Sequence, residues 1–195
     1  LRDEYHVDTE TIQWVEGGVN DKRLPTASDI RPDREINITE LGQADTLSAA
    51  LATGEIDAII AARQPDSSKT SDNVVRLFGN YRDAERTYFE KTGIFPIMHT
   101  LVIRDAVYNE NNWIAKSLFN AFEASKARAA ELMAYTGAMV VMMPWLHEAV
   151  DEMNTVFAGD AWPYGLGANR HHLETFNRYL VEEGFLATAP ALDEI

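Results

Sequence analysis

Apolar and polar positions alternate or cluster in ways that predict a definite order of elements. Residues 1–7 read as the end of a helix. Residues 11–15, "TIQWV", form a short apolar run closed by the glycines of "EGG", which predicts a strand and a turn. Residues 17–35 are polar and dotted with proline and predict a long loop. "INIT" at 36–39 predicts a second strand. "TLSAALATG" predicts a short helix with Gly54 as its C-terminal cap, followed at once by a buried strand in "EIDAIIA". "NVVRLF" at 73–78 predicts a further strand. "NYRDAERTYFEKTG" predicts a helix stopped by Gly93, and residues 94–103 a strand after it.

Beyond that strand the periodicity changes. Residues 111–135 carry Trp113, Leu118, Phe119 and Phe122 at helical spacing, which predicts a long amphipathic helix. Residues 138–159 predict helix interrupted at Pro144, a residue suited to a first helical turn. "AWPYGLGANR" predicts a loop, and residues 169–184 a last helix capped by Gly184. The first half thus alternates strand and helix and the second is nearly all helix. The fold class expected is α/β with a helical C-terminal portion.

Length and charge bound the rest. The chain has 195 residues and a formal net charge of -14. That length supports one sizeable domain or two small lobes. The negative balance argues against a nucleic-acid partner, which needs a basic face. It leaves room for an anionic ligand gripped by a local arginine. With no cysteine there is no disulfide and no thiolate chemistry. No apolar stretch is long enough to span a membrane as a helix. A start at Leu1 reads as a fragment or a processed chain, from which any export signal would be lost.

No phosphate loop, His-Glu-x-x-His pair or nucleophile elbow is present, so candidate residues stand singly. Arg63 ends "IDAIIAAR" at the carboxyl end of a predicted strand, where open α/β sheets place ligands. Its guanidinium suits a carboxylate; the alternative is a solvated strand end. His99 lies in the apolar run "GIFPIMHTLVIR", either as a hydrogen-bonded core histidine or as a proton donor titrating near neutrality. In "PWLHE", Trp145 could stack on an aromatic ring, and His147 and Glu148 face solvent in the bland reading. "WPYGLGANRHH" reads as a shaped loop with Tyr164 and Arg170 as wall residues and Asn169 as an N-cap. His171 and His172 are adjacent on a helix and therefore a poor chelating pair. Glu85 and Tyr88 lie one turn apart, a packed ring beside a solvated carboxylate.

Together, "LATGEIDAIIAARQP", "LFGNYRDAERTYFEKTGIFPIMHTLVIR", "NNWIAKSLFNAFEASKA", "MPWLHE" and "WPYGLGANRHHLETFNRYLVEEGF" resemble the 4,5-dihydroxyphthalate decarboxylases. The likeness runs along most of the chain, and "GIFPIMHTLVIR" and "WPYG…NR" are its most specific parts. It implies a type II periplasmic-binding-protein-like fold, with two lobes joined at a hinge. Residues 1–97 would form lobe two, and 98–195 the hinge strand and the helical return to an incomplete lobe one. It also implies an aromatic acid decarboxylase that binds a small aromatic carboxylate. Arg63 and His99 would be catalytic, with Trp145, Tyr164, Asn169 and Arg170 binding the substrate. No cofactor would be required. A divalent metal on the catechol oxygens is compatible with this chemistry, with His147 and Glu148 as its candidate ligands. The resemblance implies a cytoplasmic enzyme and allows a homo-oligomer that covers exposed apolar faces. The alternative on the same fold is a periplasmic solute-binding protein of a transporter or sensor.

Overall fold

A computed structural model of the chain describes residues 1–22, 32–42 and 45–192. It is a mixed α/β structure in which helices dominate a small parallel sheet. The chain divides into two compact units. The first comprises Leu1–Ala84 with Tyr179–Ala189, the second Glu85–Arg178 with the residues from Pro190 on.

In the first unit the short helix α1 (Arg2–Tyr5) leads to a 3-10 turn at Thr9–Thr11, held by the Asp8 carboxylate accepting the Glu10 N–H. Strand β1 (Trp14–Glu16) pairs in parallel with β2 (Ile38–Glu40), Trp14 opposite Ile38 and Glu16 opposite Glu40. Residues 23–31 of the loop predicted between them lie outside the described residues. Gly17 serves close packing rather than a turn: a Cβ there would come within 3.0 Å of the Leu41 side chain. The Gly18 and Val19 carbonyls then accept the Leu47 and Ser48 N–H groups that open helix α2 (Leu47–Thr53). Thr46 adds a side-chain cap by accepting from the Ala49 N–H at 3.1 Å. Gly54 ends α2 as predicted, at φ 76°, the left-handed conformation that favours glycine.

Helix α2 carries this unit's apolar core in Leu47 and Ala50, and it packs on helix α3 (Ser67–Thr70). The tie between them is polar. The buried Ser48 hydroxyl donates to Ser67 Oγ at 3.0 Å and accepts the Ser67 N–H at 2.9 Å. A serine from one helix thereby caps the start of the next.

Helix α4 (Tyr81–Thr92) begins in the first unit and ends in the second, and Gly93 stops it at φ 67°. Helix α5 (Asp105–Glu110), which the periodicity did not predict, precedes the long α6 (Trp113–Ala134). Helix α7 spans Leu146–Val156, and α8, Leu166–Glu182, closes the chain with Gly184 at φ 77° as its cap. Leu146, Val150, Ala161 and Leu192 are the buried apolar residues described in this unit, which also holds a cluster of rings. Phe157 lies 4.6 Å from Phe89 and 5.0 Å from Phe95, and Phe95 lies 6.0 Å from Trp162, centroid to centroid.

Several predicted elements are corrected. Residues 55–61, 73–78 and 94–103 are not strands. Their backbones make no ladder with any described residue, and most of their side chains stand in solvent: Leu77 is 81% exposed and Val102 85%. β-propensity expresses itself only against a neighbouring strand and a packed face, and none is within reach among the described residues. Residues 136–145 are not helical either. Pro144 has no N–H to give, and Trp145 sits at φ 58°, so helix cannot run through them. The last helix starts a turn earlier than predicted, which places Asn169 inside α8 rather than at its cap. No helix among the described residues is long and apolar enough to cross a membrane.

Candidate functional site

The segment after Gly93 and the loop before α8 meet in the second unit, although nearly 70 residues separate them in sequence. His172 Nε2 accepts the Phe95 N–H at 3.1 Å, and His171 Nε2 lies 2.9 Å from the Thr92 carbonyl oxygen. Adjacent residues on a helix point about 100° apart. The chain crossing α8 at residues 92–95 is wide enough to meet both rings. These contacts were not legible from the spacing, which had marked the pair only as poor chelators.

Accepting the Phe95 N–H fixes the His172 tautomer: the ring proton must sit on Nδ1. That Nδ1 is buried and has no hydrogen-bond partner. Burial holds the His172 pKa below the usual imidazole value, and the neighbouring His171 adds to the effect. His172 is therefore a neutral hydrogen-bond acceptor that holds the start of the segment bearing His99. His99 itself is exposed and makes no hydrogen bond to a described residue, so it is not a core histidine.

The loop is tied down from two helices. From α8, Asn169 Nδ2 donates to the Pro163 carbonyl at 2.6 Å and the Gly165 carbonyl at 3.0 Å. Its amide nitrogen shapes the loop from inside α8, which corrects its expected role as N-cap. From α6, Lys126 Nζ donates to Asp160 Oδ2 at 2.8 Å and to the Trp162 carbonyl at 3.0 Å. The same ammonium lies 4.3 Å from the centroid of the Tyr164 ring. Trp162 and Tyr164 stay exposed, held as a shelf of rings. Lys126 falls within the segment "NNWIAKSLFNAFEASKA" but has nothing to single it out there, being one lysine of a long amphipathic helix.

The other expected residues are placed as follows. Trp145 is 79% exposed at the start of α7. His147 is half-buried and Glu148 exposed on the first turn of that helix. No group of three or more metal-ligating side chains comes together among the described residues. Arg170 lies 3.7 Å from Glu174, one turn along α8. Arg63 belongs to the first unit. It is exposed, and its guanidinium stands 3.9 Å from the Asp21 carboxylate, a loose solvated pair. The first unit also has a hollow lined by Glu16, Arg34, Ile36 and Ile38, but Arg34 is committed to an ion pair with Glu183, and none of the expected site residues faces it.

A helical α/β chain with a fixed aromatic shelf beside a histidine-bearing segment has the parts of a small aromatic-ligand site. No family model matches the chain. Over 177 residues it is 31% identical to 4,5-dihydroxyphthalate decarboxylase of Comamonas testosteroni, an alignment that covers 90% of this chain and 54% of that protein. The chain therefore spans about half the length of the curated relative it matches. The match bears out the resemblance carried by the sequence motifs: the chain is a homologue of that decarboxylase.

Proposed function

We propose that the protein to which this chain belongs is a carboxy-lyase that removes CO2 from a dihydroxylated aromatic dicarboxylate, 4,5-dihydroxyphthalate being the substrate that the relative's name gives. The observation that carries the reading is the homology along 90% of the chain. Its two most specific motifs also converge on one aromatic-lined place in the second unit.

The chemistry assigns roles. Loss of CO2 from an aryl ring begins with a proton delivered to the carbon that bears the carboxylate. The positive charge so created is stabilised by the hydroxyl para to that carbon. The bond to the carboxylate then breaks, its electron pair restores the ring, and CO2 leaves. His99 is the proton donor in this scheme, an exposed imidazole that makes no hydrogen bond to a described residue. Arg63, in the first unit, is the cation that the resemblance assigns to a substrate carboxylate, its guanidinium only loosely engaged by Asp21. Tyr164 and Trp162 pack against the ring, with Trp145 and Arg170 completing the wall. No observation favours the solute-binding alternative.

The test is CO2 release from 4,5-dihydroxyphthalate. His99→Gln should lower kcat by about 100-fold or more while leaving the dissociation constant within about twofold. Undiminished turnover would remove His99 from the chemistry. A wild-type protein that is thermally stabilised by the ligand but releases no CO2 would be a binding protein.

A further inference from the structure

Helix α6 carries none of the expected site residues, yet one of its side chains holds the aromatic loop. Lys126 offers three ammonium hydrogens and has three acceptors at hand: Asp160 Oδ2 at 2.8 Å, the Trp162 carbonyl at 3.0 Å and Glu123 Oε1 at 3.4 Å. Its side chain is only 20% exposed. Burial opposes the charged form, but the hydrogen bonds and charges of Asp160 and Glu123 outweigh it and raise the pKa, so the ammonium stays protonated throughout the neutral range.

The pairing does more than neutralise a buried charge. The second oxygen of Asp160 accepts the Trp162 N–H at 3.1 Å. Both backbone polar groups of Trp162 are thus held by one ion pair, the N–H by Asp160 and the carbonyl by Lys126. The Tyr164 ring covers the same ammonium. The next carbonyls of the loop, at Pro163 and Gly165, are taken by Asn169. The backbone groups of the loop are thus bound by side chains, while its two large rings stay exposed.

We propose that Lys126 is the positioning residue that sets the Trp162–Tyr164 loop as a preformed aromatic wall for the substrate ring. This rests on the decarboxylase reading for the identity of the substrate, but not for the setting of the loop. A lysine suits the task because a compact ammonium has three rotatable donors for its three acceptors while a ring lies against it. An arginine fork is planar and would satisfy only part of that arrangement.

Lys126→Met keeps the apolar stem and removes the charge. It should raise KM for 4,5-dihydroxyphthalate by about tenfold with kcat within about twofold, the pattern of lost ground-state binding. It should also speed amide exchange at Trp162 by about tenfold or more. Lys126→Arg should recover part of both. Asp160→Asn, which opens the same bridge from the other side, should reproduce the Met variant and guards against a single variant that fails to fold. Unchanged exchange at Trp162 in folded Lys126→Met overturns the proposal. So does accelerated exchange with an unchanged KM, which would leave a loosened loop without a part in binding. If the wild-type protein does not turn over 4,5-dihydroxyphthalate, the decarboxylase reading fails by itself. The exchange rates then decide the role of Lys126, accelerated exchange supporting it and unaltered exchange refuting it.

Discussion

His172 Nε2 accepts the backbone N–H of Phe95 at 3.1 Å, and this bond joins the last helix to the start of the His99 segment. It requires a neutral ring with its proton on Nδ1. A protonated imidazole has no lone pair to accept with, so acid breaks the link directly.

The sign of the pH effect follows. The folded pKa of His172 lies below the unfolded value of 6.5, chiefly because of burial and secondarily because of His171. Between those two values the unfolded chain binds more protons than the folded one, so stability rises with pH. The contribution is fully present above about pH 6.5 and is lost as pH falls through the folded pKa. His172→Gln should flatten the part of the melting-temperature profile between pH 7 and 5 that the wild type shows. Parallel profiles for the two proteins would remove His172 as the titrating group.

Ser48 and Ser67 form a buried pair in which one hydroxyl closes the start of a helix. Ser48→Ala strips the Ser67 N–H of its partner where water has little access. The expected cost is about 1–3 kcal/mol, read as a lower urea midpoint with an unchanged slope. A cost within experimental error would show that water takes the place of the lost hydroxyl.

Arg63→Ala tests the carboxylate grip. The side chain makes only a loose pair at 3.9 Å, so its removal should leave stability within about 0.5 kcal/mol. Binding of 4,5-dihydroxyphthalate, followed by calorimetry, should weaken by about tenfold or more. Equal affinity in the two proteins would place Arg63 outside the site.

What could be read in the sequence divides along a physical line. Gly54, Gly93 and Gly184 announced three helix ends because a left-handed residue is a local requirement that glycine meets cheaply. The helices of residues 81–92, 113–134 and 166–182 followed from periodicity, which is also local. Of the strands, those at Trp14–Glu16 and Ile38–Glu40 formed because each found the other. "EIDAIIA", "NVVRLF" and the run through His99 have the same composition but no partner among the described residues, and composition cannot supply one. The site shows the same division. "WPYG…NR" and the His99 segment stood out as motifs, whereas their meeting through His172 and Phe95 is a tertiary fact. Lys126 was invisible because nothing in a helical repeat distinguishes a solvated lysine from one that turns inward onto a loop.

The exposed apolar runs give the charge of -14 a second meaning. Ile60, Val75, Leu77, Met98, Leu101 and Val102 stand in water on backbone that makes no ladder, the condition under which chains stack edge to edge. Mutual repulsion between like-charged molecules opposes that stacking, so the acidic surplus acts as a colloidal brake. Such a brake works only across the distance that salt leaves unscreened, which is about 10 Å at 0.1 M and about 3 Å at 1 M. Light scattering from this chain should therefore rise as salt is added, because less of the repulsion survives between its exposed apolar runs.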